Sequence, residues 1–111
     1  CNTFSRAPWA NKKGPPPIRC REWPKGFPWL EGVNKNKAEA GNELCTAALK
    51  ILDALWLAGA KHFLEFPEDL GQTFHGGVPS SLWQWEETAA FAAKSGSQRL
   101  ALFQCQWPGA A

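Results

Sequence analysis

The sequence predicts an α/β fold: a partial parallel sheet layered between helices, three layers in all. Three observations predict it. Residues 36 to 58 repeat apolar side chains with the period of a helix, residues 61 to 66 and 99 to 104 are short apolar runs, and residues 81 to 95 form a second helical pattern between them. Strands that alternate with helices argue for right-handed crossover units and a parallel sheet. The two runs are therefore expected as parallel neighbouring strands.

Taken in order, the chain opens with Cys1-Asn2-Thr3-Phe4-Ser5, read as the end of an earlier strand, and continues into a loop at about residues 6 to 34. Pro8, Pro15, Pro16, Pro17, Pro24 and Pro28 forbid long helices or central strands there. Loops of this length are uncommon unless they are functional or disordered, and Trp9, Trp23, Phe27 and Trp29 argue for folding back onto the body.

In the first helix Leu44, Ala48, Ile51, Leu52 and Leu55 form one stripe, which Cys45, Leu49 and Trp56 widen. Asn34 or Asn36 can cap its start, and Gly59 is the expected stop. Lys61-His62-Phe63-Leu64-Glu65-Phe66-Pro67 then reads as a buried strand whose acid emerges at the strand end, where open α/β sheets place their chemistry. A carboxylate in an apolar run is paired, protonated or functional, or else stands half-exposed on an edge. Residues 67 to 80 form a glycine- and proline-bearing loop, in which Asp69 can cap a turn or line the cleft. Ser81 three residues before Gln84 is a capping box, with Leu82, Trp85, Ala89 and Ala92 or Ala93 facing inward and Gly96 as the stop.

The 111 residues suffice for a single domain, 1 to 111, and the start at Cys1 suggests a piece of a longer polypeptide. Residues 1 to 37 hold eight basic residues against Glu22 and Glu31, a net of +6, whereas the remainder nets −4. A basic third interleaved with tryptophan suits phosphate contact and base stacking, or is a solvated loop whose rings pack on the domain. Four widely spaced cysteines point to a reduced, intracellular setting, nuclear or cytoplasmic. With no Cys-x-x-Cys and two histidines, no metal site is expected. Lys50 and Asp53 interrupt the longest apolar stretch, so no membrane partner is expected.

Cys1-Asn2-Thr3-Phe4-Ser5 resembles the nucleophile motif Pro-Cys-Gln-x-Phe-Ser of the DNA (cytosine-5) methyltransferases, and Leu64-Glu65 stands where that family carries Glu-Asn-Val. The resemblance implies a Rossmann-like methyltransferase fold, DNA as partner and S-adenosylmethionine as cofactor of the longer protein. It implies Cys1 as the thiolate that adds to cytosine C6 and Glu65 as the acid at N3. Ser5 and Arg6 would belong to the loop that approaches DNA, with Arg19, Arg21 and Lys25 as further DNA-binding residues. The chain departs from the pattern at Asn2, at Phe66-Pro67 and in lacking both the glycine-rich cofactor turn and the later arginine-rich motif. The alternative is a noncatalytic nucleic-acid-binding or structural module of the same origin, such as a mobile-element relic.

Overall fold

The computed structural model describes Phe4, residues 7 to 10 and residues 13 to 101. Its elements are a single turn, α1 (Ala7–Ala10), a 26-residue helix, α2 (Gly32–Leu57), a 3-10 turn at Leu82–Gln84 and a ten-residue helix, α3 (Glu86–Ser95). Among the described residues there is no strand and no sheet, which overturns the expected α/β, Rossmann-like architecture. Among the described residues, the two helices longer than one turn, α2 and α3, are clasped by long irregular segments.

The physical reason lies in what residues 61 to 67 do with their side chains. Leu64 and Phe66 pack against the core from one side of an extended segment, while Phe63 and Glu65 point the other way into solvent. That is the period-two pattern of a strand. Side-chain wedging against the helices holds the segment in place of a backbone ladder, and Trp83 fastens its end by donating Nε1–H to the Pro67 carbonyl at 2.9 Å. The second expected strand fares no better: residues 99 to 101 have no regular structure and Leu100 is exposed, while residues 102 to 104 lie outside the described residues.

The first helix is present, but it starts earlier than either candidate cap and buries a different face. Ala38, Gly41, Cys45, Leu49 and Leu52 form its inward stripe, whereas Leu44 and Ile51 are 66% and 61% exposed. Both faces of α2 are apolar, so periodicity alone could not choose between them. Small residues decided the matter. Ala38 leaves room for the chain at Gly26, whose φ of 122° admits only glycine comfortably and whose Cβ position would lie 3.2 Å from the Ala38 methyl, and Gly41 is buried one turn on.

At its far end α2 closes as expected. Gly59 adopts φ 73°, its N–H bonds the Trp56 carbonyl at 3.0 Å, and the Ala60 N–H bonds the Leu55 carbonyl at 2.9 Å. Those two bonds make a Schellman motif, which satisfies carbonyls that a helix end otherwise leaves open. Gly96, with φ 67°, follows α3 in the same way.

The second helix begins four residues later than the capping box implies. Ser81 Oγ accepts from the Trp83 N–H at 3.3 Å, and Gln84 N–H bonds the Ser81 carbonyl at 3.1 Å, but this cap opens only the 3-10 turn. The Gln84 side chain is drawn to Asp69 and Arg21 rather than back to the cap. Trp85 is extended, its ring buried, and α3 starts after it with Thr88 and Phe91 inward and Ala89 exposed. The core is thus Phe4, Cys45, Leu49, Leu52, Leu82, Trp85 and Phe91, with Trp56, Leu64 and Phe66 at its margin.

Two substitutions test this account by chemical denaturation. Leu82→Ala, at the most enclosed core position, is expected to cost about 2 to 5 kcal/mol. Gly59→Ala forces a Cβ into the left-handed region and is expected to cost about 1 to 2 kcal/mol although it meets no neighbour.

Candidate functional site

Of the stretch Cys1-Asn2-Thr3-Phe4-Ser5, Phe4 alone is among the described residues; Cys1, Ser5 and Arg6 lie outside them. Its ring is buried and meets Phe66 edge-on at 5.2 Å, Trp85 at 5.9 Å and the guanidinium of Arg19 at 4.2 Å. Phe66 directly follows Glu65. The two stretches that carry the sequence resemblance therefore touch through Phe4 and Phe66, although Glu65 itself is on the solvent side of its segment.

Arg19 has a different place from the one its charge suggested. It is 2% exposed, and its guanidinium is spent inside the protein. Nη1 donates to the Pro24 carbonyl at 3.0 Å and to Asn42 Oδ1 at 2.6 Å, and Nη2 donates to the Ala38 carbonyl at 3.0 Å. Asn42 completes the clamp by donating Nδ2–H to the Lys25 carbonyl at 2.7 Å. Burial pulls the Arg19 pKa down to about 10, opposed by the nearby Cys45. Burial likewise pushes the Cys45 thiol up, so the pair is a guanidinium beside a neutral thiol at neutral pH.

Arg21 and Lys25 are about half exposed and already paired. Arg21 Nε donates to Gln84 Oε1 at 3.1 Å and Nη2 lies 3.4 Å from Asp69 Oδ2. Lys25 pairs with Glu87 and sits 4.8 Å over the Trp85 ring. The hydrogen bond from Lys25, together with the backbone N–H of Glu87, holds that carboxyl below the usual glutamate range. Among the tryptophans, Trp9 lies over Gly77, Trp29 stacks on Phe27 at 4.7 Å, and Trp23 is exposed. Only Trp9 of these rings is laid on the body, since Trp29 is 66% exposed.

Asp69 takes the capping role of the two weighed for it. Oδ1 accepts from the Gly71 N–H at 3.1 Å, a turn cap, and Oδ2 receives Arg21 and Gln84 beside a small depression lined by Phe4, Phe66, Pro67, Pro79 and Ser81. His62 is hydrogen-bonded, with Nε2 2.8 Å from Ser97 Oγ and its ring edge-on to Phe91. Cys20 and Cys45 are free thiols. Among the described residues no group of three or more His, Cys, Asp or Glu side chains can hold a metal, and no helix is long and apolar enough to cross a membrane.

Sequence reasoning missed Asn42 and Gln84. Asn42 left a trace: it is a polar side chain one residue from Gly41 on the face of α2 that the small residues mark. Gln84 was seen, but as a cap. Comparison with protein families, curated proteins and solved structures finds no match for this chain.

Two measurements test the clamp and the rim. Arg19→Ala strips three acceptors of their donor in a buried setting and is expected to cost about 3 kcal/mol in urea unfolding, with Arg19→Lys failing to restore it because an ammonium cannot reproduce the planar fork. The depressed Glu87 pKa contributes stability that is present above the glutamate pKa of the unfolded chain and is lost as pH falls through the folded value. Wild type should therefore exceed Glu87→Gln in stability at neutral pH by a small, salt-sensitive margin that shrinks on acidification through pH ~4.

Proposed function

We propose that the chain is the base-handling part of a DNA cytosine-5 methyltransferase-like protein, with Cys1 as nucleophile and Glu65 as acid. The observation that supports this reading is the Phe4–Phe66 contact, which joins the cysteine-bearing and glutamate-bearing stretches across more than half the sequence. The reading concerns these residues and their chemistry, and does not require a sheet.

S-adenosylmethionine, implied by the resemblance, does not fit the described residues. The depression beside Phe4 and Phe66 has room for about one water molecule, and no glycine-rich turn borders it. No step is assigned to the cofactor here. The residues of this chain act on the base: the Cys1 thiolate forms a bond to C6, the C5–C6 π pair moves into the ring, and Glu65 gives a proton to N3. Reversal returns the proton and expels the thiolate. DNA is the partner, in a nuclear or cytoplasmic setting. Ser5 and Arg6 approach it, and the half-exposed Arg21 and Lys25 can exchange Asp69 and Glu87 for phosphate oxygens. Arg19, being buried, serves by holding the loop.

A noncatalytic module is the second reading, favoured by the internal pairing of Arg21 and Lys25. The two separate on one assay. While C6 carries the cysteine, C5 accepts a solvent proton and can lose its own, so DNA tritiated at cytosine C5 should release its label. Cys1→Ala is expected to abolish release and Glu65→Gln to slow it by about 2 to 4 kcal/mol of barrier. Bound DNA without release, or release that survives Cys1→Ala, overturns the enzyme reading.

A further inference from the structure

The face of α2 turned away from the core is apolar over most of its length, interrupted at Lys37. Val33, Leu44 and Ile51 are each more than 60% exposed, and Ala40, Ala47 and Ala58 are exposed between and beyond them. Their spacings of seven, four, three, four and seven follow the alternating three-four repeat of a helix that lies along another helix. We propose that this face binds the same face of a second copy of the chain, antiparallel, to form a twofold dimer.

Charge and size choose this occupant and this register. Laid antiparallel with the helix ends offset by two residues, the two helices set Leu44 beside Ala47 of the second copy, Ile51 beside Ala40, and Val33 beside Ala58. Every layer joins a large side chain to a small one, which lets the helix axes approach closely and fills the space between them. The same register sets Glu43 beside Lys50 of the second copy, and twofold symmetry repeats the pair on the other side. Neither residue forms an ion pair within the described residues of its own chain. A parallel, in-register pair loses both advantages: Lys37 would meet its own copy in the seam, whereas the antiparallel arrangement sets it against Ala54. Self-complementary sign along a single face is what a second copy requires, and an unrelated partner does not.

The test is the molar mass of the full chain by light scattering and sedimentation equilibrium over a concentration series. Wild type should reach the mass of a dimer. Glu43→Lys and Lys50→Glu, both at solvent-facing positions, should retain wild-type helix content by circular dichroism and each shift to monomer, because each sets like charges together twice. An equimolar mixture of the two variants should recover the dimer, since both pairs of a mixed dimer are again of opposite sign. The chain carrying both reversals should dimerise on its own. Wild type that stays monomeric throughout, a dimer indifferent to either single reversal, or a mixture that stays monomeric would each overturn the proposal.

Discussion

A charge removed from water at Arg19 is the constraint on which the described fold depends. Moving a guanidinium into the interior is costly unless its donors are matched; here two backbone carbonyls and an amide oxygen take up Nη1 and Nη2 while the Phe4 ring covers one face, and Nε is left buried without a partner among the described residues. The acceptors come from the loop at Pro24 and from α2 at Ala38 and Asn42. A segment with little regular hydrogen bonding of its own is thereby fastened to the helix, together with Phe4, which precedes it in the chain. Lysine could not serve, because the three directions are those of a planar fork. Cys45 stays a thiol beside it, since desolvation opposes a second buried charge.

From that clamp the rest of the packing follows. The loop can reach α2 only where the helix surface is low, at Ala38 and Gly41, and this sets which side of the helix faces inward. Cys45, Leu49 and Leu52 then meet Leu82, Trp85 and Phe91, and the extended stretch at Leu64 and Phe66 closes the core from its margin. Arg21 and Lys25, carried by the same loop, come to rest against Asp69 and Glu87. Two charges of the basic segment are thus balanced from within. Leu44 and Ile51 are the remainder of this choice, an apolar face left outside because the other face was selected by the smaller side chains.

The corner where Phe4, Phe66 and Asp69 converge bears most directly on chemistry. Aromatic packing there unites two stretches far apart in sequence, each of which was singled out for its reactive neighbour, Cys1 or Glu65. Phe4 and Phe66 hold these two stretches together by ring packing alone. Such an arrangement accommodates either a working site or its scaffold, and the proposed chemistry rests on the side chains beside the contact.

Sequence by itself determined the local events, because their causes are local. Gly59 and Gly96 ended their helices since only glycine enters the left-handed region freely, and Ser81 capped a turn since its hydroxyl lies two residues from an open N–H. The long apolar pattern of residues 36 to 58 had to be helical, and Asp69 had to cap its glycine. Tertiary structure decided everything that needed a partner. A period-two stretch becomes a strand only when another backbone accepts its hydrogen bonds, and residues 61 to 66 met helices instead. A helix with two apolar faces buries the one its neighbours can approach, so Gly41 and Ala38 outweighed Leu44 and Ile51. An arginine in a basic loop binds whatever surrounds it, and for Arg19 that was the protein's own carbonyls, a fact written in distances of 19 and 23 residues along the chain that no local pattern records.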